Sequence, residues 1–231
     1  GYIGKKKYFP NKKKIVSCKL SLKRRGPDSS GLYTKNSNEN SLLFIHTRLS
    51  IIDLNKSASQ PFSDEKGSII FNGMIYNYIE LKNDLEKKGQ KFQTQSDTEV
   101  LLKMMNLYKE KTFEKLDGMW SIAYFNFNDE EVILSRDRFG EKPLFYSIEN
   151  NNLLFSNSIK ALNKLSRNKL KLNNNKVKKF LSFPDKTYGL DDETYFKNIF
   201  QFPKSSYAKF NLKKIKLKFR KYWSLKIKNN K

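Results

Sequence analysis

Phe71-Asn72-Gly73-Met74-Ile75-Tyr76-Asn77 is the stretch whose reading decides the fold class. It continues an apolar run, Ser68–Phe71, of strand character. Asn-Gly after a strand ordinarily turns a hairpin, because both residues tolerate left-handed backbone angles. The next segment, however, is not strand-like. Tyr78, Leu81 and Leu85 recur at helical spacing, and Gly89 can close that helix. A strand that feeds a helix weakens the hairpin reading. It favours a second one, in which the Asn72 amide and the Gly73 N–H aim at one point as an oxyanion hole.

Working outward, short apolar runs predict strands at Leu42–Ile45, Trp120–Phe125, Val132–Ser135, Leu144–Ile148 and Leu153–Phe155. Ser96-Asp97-Thr98-Glu99 has capping-box spacing, with Val100, Leu101, Met104 and Tyr108 as the helical stripe behind it. A third helix is expected from about Lys176 to Leu181. Asn-rich stretches at Asn36–Asn40, Asn150–Asn152 and Asn173–Asn175 read as turns. After Pro203, lysines alternate with apolar residues, which suits an exposed edge hairpin. Strands, then clustered helices, then more strands make an α+β pattern.

Composition narrows the classes. The 231 residues hold 38% hydrophobic and 14% aromatic side chains, enough to fill a core. No run approaches the ~18 apolar residues needed to cross a bilayer, and the basic opening is followed by no secretory h-region. One Cys and one His exclude a disulfide framework and a His/Cys zinc site, and no metal is expected. The net charge of +23 comes from 39 Lys and only 7 Arg, spread over nearly every segment beside 24 Asn. That spread reads as a compositional bias of the surface. A nucleic-acid-binding module stays open through the denser patches Lys5–Lys14 and Lys204–Lys231, although base readout favours Arg.

Four segments carry chemistry. In Arg24-Arg25-Gly26-Pro27-Asp28-Ser29-Ser30-Gly31, a tight turn could let Arg25 and Asp28 clamp each other. In His46-Thr47-Arg48-Leu49-Ser50-Ile51-Ile52-Asp53, Arg48 at a strand end suits a carboxylate, which guanidinium binds through two parallel hydrogen bonds. A structural salt bridge to Asp53 is an equal alternative, and His46 reads as a packed or hydrogen-bonded side chain. The third is Asn72-Gly73. In the fourth, a helix cap accounts for Ser96 and Glu99 and leaves the Asp97 carboxylate over for an ammonium group. An Arg, an Asp and an Asn-Gly pair together form a receptor for a free amino acid. They lack a nucleophile.

Seven pieces in order resemble the glutaminase domain of glutamine-hydrolysing asparagine synthetases, a class II glutamine amidotransferase. They are RGPDSSG (Arg25–Gly31), HTRLSIIDL (His46–Leu54), QPF (Gln60–Phe62), NGMIYN (Asn72–Asn77), SDTEVLL (Ser96–Leu102), LDGMW (Leu116–Trp120) and RDRFGEKPLFY (Arg136–Tyr146). Lys221-Tyr222-Trp223 resembles the family's exit from this domain. The resemblance implies a four-layer α/β/β/α sandwich of the N-terminal-nucleophile hydrolase type. It implies that Arg48 and the backbone of Leu49, Ser50, Ile51 and Ile52 bind glutamine and that Asp97 takes its α-amino group. Asn72 and Gly73 would form the oxyanion hole, with Met74 beside the substrate. Arg24 stands where the family usually has His, and Met74 where Glu is common.

By the same resemblance, residues 1–205 are the amidotransferase domain without its first few residues, and 206–231 a basic exit segment. Gly1-Tyr2-Ile3-Gly4 looks like the continuation of the family's Met-Cys-Gly-Ile-x-Gly opening, so the nucleophilic cysteine is expected to be missing and the chain as it stands to be inactive. The family's chemistry is glutamine hydrolysis, with the cysteine's own α-amine as base. The ammonia would serve conversion of aspartate to asparagine in a following synthetase domain that uses ATP and magnesium. This half is expected to need no cofactor, to be cytoplasmic, and to leave a homodimer open. Rival readings are an amidotransferase of the same architecture acting on a sugar or natural product, and a glutamine-binding domain without catalysis.

Overall fold

A computed structural model describes residues 1–183, 191–211 and 217–225. The strands are β1 (Tyr2–Lys5), β2 (Ser29–Asn36), β3 (Asn40–Arg48), β4 (Phe62–Ser63), β5 (Gly67–Ile75), β6 (Gly118–Asn126), β7 (Glu131–Arg136), β8 (Phe145–Glu149), β9 (Asn152–Ser156), β10 (Phe200–Gln201), β11 (Ser206–Asn211) and β12 (Phe219–Lys221). The helices are α1 (Lys12–Leu22), α2 (Tyr78–Glu86), α3 (Asp97–Tyr108), α4 (Thr112–Lys115), α5 (Ile159–Leu165) and α6 (Asn174–Ser182). Two six-stranded antiparallel sheets result, ordered β10-β8-β9-β1-β3-β2 and β12-β11-β7-β6-β5-β4.

Side-chain alternation along the buried strands builds three apolar layers from these two sheets. In β3, Leu42 and Phe44 face the gap between the sheets while Leu43 and Ile45 face α1 and α5. In β6, Ala123 and Phe125 face the gap while Trp120, Ile122 and Tyr124 face α2, α3 and α4. Both strands therefore read as continuous apolar runs, each face having its own partner. Each fully buried Leu or Phe contributes ~1.5–3 kcal/mol, so the three layers together fix the register. The stacking order is helix, sheet, sheet, helix, the expected four-layer α+β sandwich.

The predicted strands and helices are present, with differences. Asn173–Asn175 is no turn: Asn173 caps α6, its side chain accepting the Lys176 N–H, and the other two are helical. The described part of the tail is more than an edge hairpin; residues 212–216 and 226–231 lie outside the described residues. β11 is interior, paired to β7 and β12, and its Ala208 and Phe210 enter the layer between the sheets. Ser206–Asn211, assigned above to an exit segment, is thus part of the sandwich. The capping box is also rearranged. Ser96 Oγ accepts the Thr98 N–H, while the Glu99 carboxylate accepts from Gln93 N, Thr94 N and Thr94 Oγ1, pinning the loop before the helix. Among the described residues no helix is long and apolar enough to cross a membrane.

Candidate active site

At one end of the gap between the sheets lies a cavity of ≈ 340 Å³, a size suited to a small molecule. Arg48, Asn72, Gly73, Met74 and Asp97 all line it, with Leu49, Ile51 and Ile52. Ser50 does not; its N–H donates to the Asp28 carboxylate at 2.7 Å. Gly1, just ahead of the central strand β1, lines the same cavity, as does Cys18 of α1.

Asn72 and Gly73 belong to β5 rather than to a turn, opposite Ser121 and Trp120 of β6. Asn72 shares the face of Ile70, which packs in the gap, so its side chain enters the cavity. Its Nδ2 is buried and, among the described residues, has no hydrogen-bond partner. Leaving a buried donor unpaired costs ~1–3 kcal/mol, so this amide is poised for an acceptor that the fold does not supply.

The backbone gives the second donor. β4 pairs with β5 only at Ile69 and Ser68, leaving the edge of β5 open beyond them. Groups on alternate residues of an antiparallel strand point to the same edge. Phe71 N–H is taken there by Gln60 Oε1 at 2.6 Å and Ile75 N–H by Asp97 Oδ2 at 3.2 Å. Gly73, midway between them, therefore directs its N–H to that edge as well. A side chain at this position would collide with β6, since an added Cβ would lie 2.0 Å from Met119 O.

Asp97 is the first residue of α3 and is buried. Burial raises its pKa, and the bonds from Ile75 and Thr98 N–H offset this only in part. A buried carboxylate in that state gains from an ammonium partner. Arg48, also buried, donates from Nη1 to Asn55 O at 2.8 Å and from Nη2 to Asp53 O. The alternative of a side-chain salt bridge to Asp53 takes a different form: Arg48 braces the backbone of the loop, while the Asp53 carboxylate accepts from Asn55 N and Gln95 N. The Asn55 and Gln95 hydrogen bonds lead in holding the Asp53 pKa low, with the Arg48 charge a smaller contributor. The Arg25–Asp28 clamp is not formed; Arg25 donates to Asn157 O at 3.0 Å.

The Cys18 thiol is buried, burial pushes its pKa up, and it does not bond to Asn72 Nδ2. Gln60, Thr98, Ser121 and Lys142 also line the cavity and were given no role from the sequence. Three of them lay in pieces already singled out, Gln60 in QPF, Thr98 in SDTEVLL and Lys142 in RDRFGEKPLFY, while nothing marked Ser121.

A glutamine amidotransferase domain family matches residues 1–223. The chain belongs to this family. Among curated relatives of this amidotransferase domain, glutamine-hydrolysing asparagine synthetase 1 of Bacillus subtilis is 42% identical over 171 residues, covering 73% of this chain and 26% of that protein. A putative glutamine-hydrolysing asparagine synthetase 2 of Methanocaldococcus jannaschii is 32% identical over 232 residues, covering 93% of this chain and 44% of that protein. The amidotransferase domain described here thus spans less than half the length of either. Among solved structures, the glutamine phosphoribosylpyrophosphate amidotransferase of B. subtilis in complex with ADP and GMP superposes with a TM-score of 0.67. The match covers 98% of this chain and 49% of that one at 16% identity, and shows a shared fold.

Proposed function

We propose that this domain hydrolyses glutamine and that its ammonia serves the ATP- and magnesium-dependent conversion of aspartate to asparagine in a longer protein. The observation that carries the first half is the buried, partnerless Asn72 Nδ2 in one cavity with Gly73, Arg48 and Asp97. Asp97 takes the α-ammonium of glutamine and the remaining N–H groups of Arg48 its carboxylate. Leu49, Ile51 and Ile52 wall the aliphatic part, and Met74 sits beside it. For the second half, the names of the relatives support asparagine synthesis fed by glutamine, and aspartate, ATP and magnesium follow from the family resemblance.

The proposed nucleophile is the cysteine that opens the family's chains, placed ahead of Gly1 at the cavity. Its α-amine accepts the thiol proton, and the thiolate adds to the carboxamide carbon. The resulting oxyanion takes the Asn72 Nδ2–H and Gly73 N–H, each worth ~3 kcal/mol. The C–N bond then breaks, the proton passes to nitrogen, and ammonia leaves. Water opens the thioester to release glutamate and regenerate the thiol.

The test is glutamate release by three proteins: the chain as it stands, the chain extended ahead of Gly1 by the family's opening residues with cysteine first, and the extended chain with that cysteine changed to alanine. Release by the second alone is expected. Equal rates in all three would overturn the mechanism.

A further inference from the structure

We infer that His46 and Gln60 are positioning residues that hold the oxyanion donors in place. This inference rests on the hydrolytic reading above. It starts from the open edge of β5. β4 is only two residues long and stops at Phe62, opposite Ile69. Continued by two residues, the same register would set Gln60 opposite Phe71, but Pro61 has no N–H to carry a ladder onward. The Phe71 N–H and C=O would then be unpaired inside the protein, at a cost of ~1–3 kcal/mol each.

Two side chains replace the absent strand. Gln60 Oε1 accepts the Phe71 N–H at 2.6 Å, and His46 Nε2 lies 3.2 Å from the Phe71 carbonyl, across the gap from β3. That carbonyl belongs to the Phe71–Asn72 peptide itself. A carbonyl can only accept, so Nε2 carries the proton and Nδ1 is a bare acceptor. Among the described residues Nδ1 has no partner, so the Phe71 carbonyl is the one hydrogen-bond partner found for this ring. Burial lowers the His46 pKa to about 4, so the ring stays neutral at physiological pH. Gln60 is itself buried, and its Nε2 donates to Thr98 Oγ1 at 3.2 Å, tying the preceding Ile70–Phe71 peptide to the start of α3 beside Asp97.

The Asn72 amide and Gly73 N–H are therefore fixed from both sides of the strand edge, by His46 and Gln60 at Phe71 and by Asp97 at Ile75. Displacing an oxyanion donor by an ångström costs on the order of a hundredfold in rate. His46 and Gln60 touch neither substrate nor reacting atoms in this scheme; they act through the Phe71 peptide.

Two measurements decide it. In the chain as it stands, amide hydrogen exchange over residues 69–75 is compared among wild type, His46→Leu, His46→Gln and Gln60→Leu. The glutamine side chain carries its amide nitrogen the same number of bonds from Cα as Nε2 of histidine, so it can restore the donor. Exchange should rise about tenfold in the two leucine variants, stay near wild type in His46→Gln, and be unchanged over residues 120–125. In the extended, cysteine-bearing chain, kcat for glutamine hydrolysis should fall tenfold to a hundredfold in the leucine variants with KM within threefold, and recover in His46→Gln. Unchanged exchange at residues 69–75 overturns the inference. So does faster exchange with unchanged kcat, which would make the contacts merely structural. No glutamate from the extended wild type would overturn the hydrolytic reading, and with it the catalytic half of this inference, while the exchange data would still decide whether the contacts hold the peptide.

Discussion

The Asp97 carboxylate accepts the Ile75 N–H at 3.2 Å, two residues along β5 from Gly73. The residue assigned to the substrate's ammonium is thus bonded to the strand that carries the proposed oxyanion donors. Its pKa is raised by burial in spite of its place at the start of α3, where a helix dipole favours negative charge. A carboxyl whose folded pKa lies above its unfolded value supports the fold fully below the unfolded value. That support is lost as pH rises through the folded one. Asp97→Asn should therefore raise the thermal midpoint at pH 7 and change it little at pH 3, while weakening glutamine binding tenfold or more by calorimetry. A lower midpoint at pH 7 would contradict this account.

Arg48 spans the carbonyls of Asp53 and Asn55. Arg48→Met removes both bonds and leaves the buried Asp53 carbonyl without this donor. Faster amide exchange over residues 49–55 is expected, together with loss of measurable glutamine binding. Arg48→Lys should restore neither, because a single ammonium lacks the planar fork of guanidinium.

Gly73 faces the β6 backbone so closely that a methyl group meets Met119 O and Trp120 Cα. Gly73→Ala should destabilise the domain by about 1–3 kcal/mol, the usual range for overpacking. Urea unfolding followed by tryptophan fluorescence reports this directly, Trp120 being fully buried against the same strand.

With a free amine at Gly1, stability should rise with pH. Burial lowers that amine to about 5 from its ordinary 8.0, so between these values the unfolded chain holds a proton that the folded one does not. Unfolding free energy then increases as pH climbs through this window. His46, lowered to about 4 from 6.5, acts with the same sign at the acid end. Acetylation of Gly1 turns this amine into an amide, and the urea midpoint should then be flat between pH 6.5 and 8. A slope surviving in the acetylated chain would exclude the amine as its source.

Strands such as Trp120–Phe125 and Leu42–Ile45 were legible because both faces are buried and the apolar run is uninterrupted. α1 was not, for its lysines cover an exposed face and only Cys18 and Leu22 are buried. β2 escaped for a related reason: it is an edge strand of mostly exposed, polar residues. In the cavity, the types of Arg48, Asn72 and Asp97 suggested an amino-acid receptor, and the structure does gather them. The roles of Gln60, His46 and Glu99 were hidden, because each bonds to backbone atoms of another segment, and backbone leaves no mark in the sequence.

The alternation in β6 has a consequence for how such chains can change length. Inserting or deleting one residue within Trp120–Phe125 would exchange the two faces, sending Trp120 and Tyr124 toward the opposite sheet and moving the residue that faces Gly73. Such indels should be lethal to folding. The Ser37–Glu39 turn between β2 and β3 and the Asn150–Asn151 turn between β8 and β9 carry no such double duty. Length variation among related chains should accumulate in those turns, and they are the places to splice in a reporter peptide.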